Sequence, residues 1–335
     1  MNKNGKQIRW LCILAVLLVI AVLVAVSVGA VSIPVSALLS GQLDDLQHAV
    51  LFSIRIPRML LGVIVGSALA VSGGAMQGLF RNPLADPGLI GITSGASLAV
   101  AVMIVLIGPT AGFPGIYGLS MAAFSGAIFT CFVIMRFARA SQSVSVLYML
   151  LAGIAVNAIA GSATGFLTYI SDDQQLRTLT FWTMGSLANA LWPTVIVSAT
   201  CVVPATILII RNARSLNMLM LGEEDAGYLG VDCDKLKNRL VIMIALAVGA
   251  GVAVSGFIGF VGLVVPHLIR LFIGPDHRIL LPASALLGAA MLLAADTVSR
   301  TVVAPAEIPV GIITSLIGGP FFLWLLIRQY AGRAS

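Results

Sequence analysis

The chain has 335 residues, of which 59% are hydrophobic and only 10% charged, with a formal net charge of +6. Soluble domains carry about 25% charged residues, so this composition excludes a soluble globular protein and points to an all-α polytopic membrane protein. The positive charge would also suit nucleic acid, but a membrane chain gathers Lys and Arg in its cytoplasmic loops, and their placement decides for lipid as the surrounding partner.

In chain order, apolar segments fall at about residues 10–30, 59–79, 89–107, 116–135, 146–169, 193–210, 240–257, 258–273, 279–299 and 309–327, each near the roughly 20 residues that a span requires. The first follows Lys3, Lys6 and Arg9. It is longer than the apolar core of a signal peptide and shows no small-residue cleavage site, so a retained span is expected. Residues 240–273 are too long for one span and short for two. Gly256, Gly259, Gly262 and Pro266 lie at their centre, where a break is physically reasonable. Ten spans put both termini in the cytoplasm and place fifteen of the 19 basic residues inside, among them Arg81, Arg136, Arg139, Arg270, Arg278, Arg328 and Arg333. Only Arg55, Arg58, Arg177 and Arg300 then lie outside. Merging 240–273 into one span weakens that bias, so ten is the expected count.

Four GxxxG pairs, Gly62/Gly66, Gly74/Gly78, Gly91/Gly95 and Gly161/Gly165, suggest closely packed helices. Trp182 and Trp192 fall near the outer interface, Trp10 and Trp324 near the inner one. "AVSG" occurs at Ala70–Gly73 and again at Ala253–Gly256, each ahead of a Pro-containing polar corner. That is the trace of a duplicated unit or a coincidence of small residues. The first corner is "RNPLADPGLIG" at 81–91, the second part of "VPHLIRLFIGPDHR". Cys12, Cys131, Cys201 and Cys233 are far apart and are expected to behave as small hydrophobes.

The acidic residues limit the chemistry. Only Asp296 and Glu307 approach membrane depth, which is poor equipment for an ion-driven carrier; such a carrier is kept as the alternative of a different class. HExxH, GxSxG and a phosphate-cradling GxxxxGK[ST] are all missing, so no enzymatic role is expected and no cofactor is bound by the chain. His267 and His277 suit interfacial or capping positions better than metal ligands, and His48 has the same bland reading. The longest cytoplasmic segment, 211–239, balances five basic against five acidic residues. A lipid-binding segment would be basic. Two short helices hinged at Gly222 or Gly230 and docked into another protein are expected instead, with an ordinary solvated loop as the competing possibility.

Taken together, "RIPRMLLGVIVGSALAVSGGAMQGLFRNPLADPGLIGITSGASL", "GFIGFVGLVVPHLIRL", "PDHRILLPASALLGA" and "AEIPVGIITSLIGGPFFLWLL" closely resemble the FecCD-type permeases of bacterial ABC importers for iron chelates and cobalamin. The resemblance runs in order over essentially the whole chain. It implies a single transmembrane permease domain over 1–335 with a cytoplasmic coupling loop at about 211–239, in the type II importer fold. It also implies a homodimer in the bacterial inner membrane, two cytoplasmic ATPase subunits that use the ATP, and a periplasmic substrate-binding protein.

Residue by residue, the resemblance assigns ATPase coupling to Leu221, Gly222, Glu223, Glu224, Ala226 and Gly230. It assigns binding-protein docking to Arg55, Arg58 and Arg300. Asn82, Leu84, Ser145 and Val146 fall at the cytoplasmic gate, where Val146 replaces a more polar residue of the cobalamin permease. Asn157, Ser162 and Thr164 are polar positions on a span that lines the pathway in the family, although helix packing would use them equally well. Arg177 at the outer mouth could meet the propionates of haem, but the cobalamin permease has an arginine there too. The motifs look most like the haem branch, so haem is the expected transported substrate, with ferric siderophore or cobalamin as alternatives.

Overall fold

A computed structural model describes residues 3–29, 31–108, 113–139 and 144–331; Arg333, counted above among the inner charges, lies outside them. The described elements are helical: α1 (Lys3–Ser27), α2 (Val35–Ser40), α3 (Asp45–Val50), α4 (Ile56–Leu79), α5 (Ile92–Val102), α6 (Phe113–Ala138), α7 (Val146–Ile170), α8 (Asp173–Met184), α9 (Trp192–Arg211), α10 (Ala213–Leu219), α11 (Glu223–Tyr228), α12 (Cys233–Ser255), α13 (Val261–Phe272), α14 (His277–Ser299) and α15 (Val310–Ala331). Each of the ten expected spans is matched by a helix at its place. Seven helical runs are long and apolar enough to cross a membrane by themselves, and three shorter apolar ones cover 92–107, 261–272 and 310–325.

α3 runs through a π-helical turn, Leu51–Arg55, directly into α4. The register shift comes just before Pro57, whose missing N–H cannot extend an α-ladder. α4 is the hub: 72% of its apolar window is buried, against 17% for α1 and α7, and α14, α13, α9 and α12 pack around it. Two close approaches set this packing. A Cβ on Gly66 would collide with the carbonyl of Gly288 on α14, and one on Gly73 with the carbonyl of Gly262 on α13. Of the four expected GxxxG pairs, Gly161/Gly165 has open space on both residues, with no neighbour there among the described residues.

The break expected in 240–273 is present. α12 ends at Ser255, residues 256–259 are non-helical, and Phe260 adopts a left-handed conformation (φ 67°) before α13 begins. Twelve residues at 1.5 Å each reach about 18 Å, so α13 spans only part of a membrane and the irregular segment must cover the rest. That backbone is tolerable at depth only when protein surrounds it. The loop after α8 does so: the Ser186 N–H donates to Ser255 O (2.7 Å), the Val310 N–H donates to Gly185 O (3.0 Å), and Gly256 lies against the Trp182 carbonyl. α8 itself, within the segment 171–186, was not expected as a helix. A capping box between Asp172 and Gln175 starts it.

The "AVSG" repeat has no structural counterpart. Ala70–Gly73 lies inside α4, whereas Ala253–Gly256 straddles the end of α12. Four small residues recur because both sites need close approach, at different points of different helices.

Candidate functional site

The corner 80–91 is built by its polar residues. Arg81 takes positive φ (49°), and the Asn82 carboxamide oxygen accepts the Leu84 N–H at 2.9 Å. The Asp86 carboxylate accepts the Gly88 N–H at 2.8 Å and caps the 3₁₀ turn Pro87–Ile90. Burial pushes the Asp86 carboxyl above its usual range, and the Gly88 bond opposes that shift. α7 packs onto this turn: Gly153 meets the Leu89 carbonyl, and the Asn157 amide donates to Gly88 O at 3.1 Å while its oxygen accepts the Ser94 hydroxyl at 2.7 Å. Both ends of the Asn157 amide are thus engaged within the chain. Thr164 also turns its hydroxyl into a buried position. Ser162 sits on the exposed face of α7 with Leu147, Leu151, Ile154, Phe166 and Tyr169.

The outer arginines bond within the chain. Arg55 and Arg58 are 4% and 6% exposed. Arg55 donates to the carbonyls of Val26, Ser27 and Val31. Arg58 binds Asp296 through Nε (3.0 Å) and Nη2 (2.8 Å), and Glu307 through both Nη atoms (2.9 Å each). Arg300 approaches Asp296 at 3.7 Å and donates to the Ala25 carbonyl. These guanidiniums tie the loops after α1 and α14 to α4. Sequence position alone could not separate an outward arginine from an inward one; the available signal was Asp296, an acid near the outer end of α14.

Arg177 stays open. It lies 5.7 Å over the Phe181 ring on the wall of an outer cavity of about 430 Å³, with Trp182, Asn189, Ser255 and Glu307 among its neighbours.

On the cytoplasmic side, α10 and α11 are the two expected short helices, hinged at Gly222 (φ 135°), while Gly230 (φ 86°) leads into α12. Leu221 and Glu224 are exposed, and so are Met220, Tyr228 and Leu229, with Tyr228 at 90%. Ala226 is corrected: it is fully buried and anchors α11, so it offers nothing to a partner. Glu223 turns its carboxylate to Lys237 at 2.5 Å. Lys237 donates also to Val144 O (2.7 Å); the next residue, Ser145, caps α7 with its side chain, and α7 begins at Val146. Asn217 of α10 bridges to the α13–α14 turn, donating to Asp276 (2.7 Å) and accepting from the His277 N–H (2.9 Å).

Apolar helices packed around α4 with a broken span among them, an outer cavity, and a hinged, exposed helix pair on the inner side make this a multi-pass membrane protein. Residues 17–328 match the FecCD transport family, and the chain belongs to it. It is 51% identical over 334 residues to the hemin transport system permease protein HmuU of Yersinia pestis, covering 100% of both chains. It is 40% identical to the vitamin B12 import system permease protein BtuC of Vibrio vulnificus, over 97% of this chain and 96% of that one. A solved metal-chelate-type ABC transporter in an inward-facing conformation superposes with a TM-score of 0.86 at 34% identity, over 95% of this chain and 98% of the other. The chain is thus a permease subunit of the ABC-importer type, and ATP hydrolysis belongs to a separate subunit.

Proposed function

We propose that this permease carries haem across the bacterial inner membrane by alternating access. It would work as a homodimer with two ATPase subunits on its cytoplasmic face and a periplasmic binding protein delivering substrate. The observation that carries the haem assignment is the 51% identity to the hemin permease over the full length of both chains. The outer cavity supports it: a flat apolar ligand with two carboxylates suits Phe181 and Trp182 as walls and Arg177 as a charge-assisted donor. The open face of α7, with Gly161 and Gly165 free of neighbours, supports packing against a second copy. Asn82 and Leu84 with Ser145 and Val146 would close the cytoplasmic end. The exposed edge Met220, Leu221, Tyr228 and Leu229, flanked by Glu224, would seat in the ATPase.

The test is competitive uptake. Proteoliposomes holding the complete transporter, supplied with ATP and binding protein, should accumulate haem in preference to a ferric siderophore or cobalamin. Preferential uptake of either competitor would reassign the substrate while leaving the permease role intact.

A further inference from the structure

Lys237 heads the largest fully buried side chains of the described residues, at 1% exposure. A buried ammonium persists only when its donors are satisfied, and here two partners satisfy it: the Glu223 carboxylate at the start of α11 and the Val144 carbonyl just before α7. The same residue is held at its other end, where the Val144 N–H donates to Asp234 Oδ1 at 2.9 Å. Asp234 and Lys237 are three residues apart on α12, so one helical face grips the entry to α7 from both sides.

The neighbouring helix is anchored elsewhere. Asn217 joins α10 to Asp276 and to the His277 backbone, and Gly222 separates α10 from α11. The two halves of the exposed helix pair therefore report to different parts of the bundle: α10 to α14, and α11 through Lys237 to α7. If α11 shifts, the Glu223–Lys237–Val144 chain must either shift with it or leave a buried charge short of a partner, which is the costly alternative.

We propose that Lys237 is the positioning residue through which displacement of α11 reaches the cytoplasmic entry of α7 at Ser145 and Val146. This rests on the reading of the chain as an ATP-driven permease. Lys237 touches neither substrate nor nucleotide; it acts by holding one side chain and one peptide in fixed relation.

The test uses the full transporter reconstituted with its ATPase and binding protein. Cys12, Cys131, Cys201 and Cys233 are replaced by alanine, and Val146→Cys supplies a reporter for a membrane-impermeant maleimide applied from the cytoplasmic side. With Lys237 in place, trapping ATP should change the labelling rate by at least about tenfold, the scale of one hydrogen bond to a charged group. In Lys237→Met that change should fall to under about twofold while hydrolysis continues, so the ATP consumed per substrate imported rises by about tenfold. A purely structural role would lower the yield of transporter without altering that ratio. Should Lys237→Met not fold, Glu223→Gln and Glu223→Leu decide: Gln keeps an acceptor for Nζ and should stay coupled, whereas Leu keeps none and should uncouple. Equal behaviour of that pair, or an intact ATP-dependent labelling change in Lys237→Met, overturns the relay alone. Absence of any ATP-dependent change with Lys237 present overturns the placement of Ser145 and Val146 at the moving cytoplasmic gate, on which the relay rests.

Discussion

The Arg58 guanidinium grips the Asp296 carboxylate through Nε at 3.0 Å and Nη2 at 2.8 Å, joining the outer ends of α4 and α14 where both side chains are almost wholly buried. A charge removed from such a pair leaves its partner stranded. Arg58→Met should cost about 3–5 kcal/mol, and the double variant Arg58→Met/Asp296→Leu should recover only part of it, because Glu307 and Arg300 then each lose a partner. Thermal unfolding of the purified protein in detergent measures both; a double variant no better than the single one would mean that the pair is not the unit.

Arg55 makes a related case with neutral partners. A carboxylate in Arg55→Glu would face the carbonyls of Val26, Ser27 and Val31, with no donor among them. The yield of folded protein should fall at every salt concentration. Folded protein with salt-sensitive loss of binding-protein docking would instead restore the rim role that the sequence suggested.

Gly66 and Gly288 meet backbone to backbone between α4 and α14. Gly66→Val forces these helices apart, and a loss of about 1–3 kcal/mol is expected from overpacking. Gly161→Ala, in open space on α7, should leave the isolated subunit's unfolding unchanged and weaken only its self-association.

Tyr228 is 90% exposed at the end of α11. Tyr228→Asp should weaken capture of the ATPase subunit by about 30-fold or more, the effect of losing an aromatic anchor, while the unfolding temperature stays the same. Co-purification and a thermal scan on the same sample check both halves.

The Asp276 carboxyl is held below the usual carboxylate range, first by its bonds to Arg278 and then by the Asn217 amide. Since its folded pKa is depressed, its contribution to stability is complete at neutral pH. That contribution declines once the pH falls below the unfolded value of about 3.9 and continues to fall toward the folded one. The unfolding temperature should drop as the pH falls below about 4, and the drop should be shallower in Asp276→Asn. Parallel pH profiles for the two proteins would exclude this group.

Much of the fold was legible because the membrane imposes length, and hydropathy reports length. The break near Gly256 and the hinge at Gly222 were legible because glycine marks backbone that other residues avoid. What escaped was direction. Nothing in the sequence tells whether Arg55, Arg58 or Asn157 points outward or into a neighbouring helix, since that is fixed by packing against other segments, from Val26 and Val31 for Arg55 to Asp296, 238 residues away, for Arg58. Lys237 escaped for a similar reason: in a mixed-charge loop it looked like one more solvated cation. α8 was hidden inside a loop because its polar first turn, "DDQQLR", breaks the apolar pattern by which the spans were found.

The central claim is that this chain is the conduit of an ATP-driven importer of haem. It is tested most directly by haem uptake into proteoliposomes containing the complete transporter, with ATP and a proton gradient varied independently. The account predicts uptake that requires hydrolysable ATP and is indifferent to the gradient. Uptake driven by the gradient with no ATP present would contradict it.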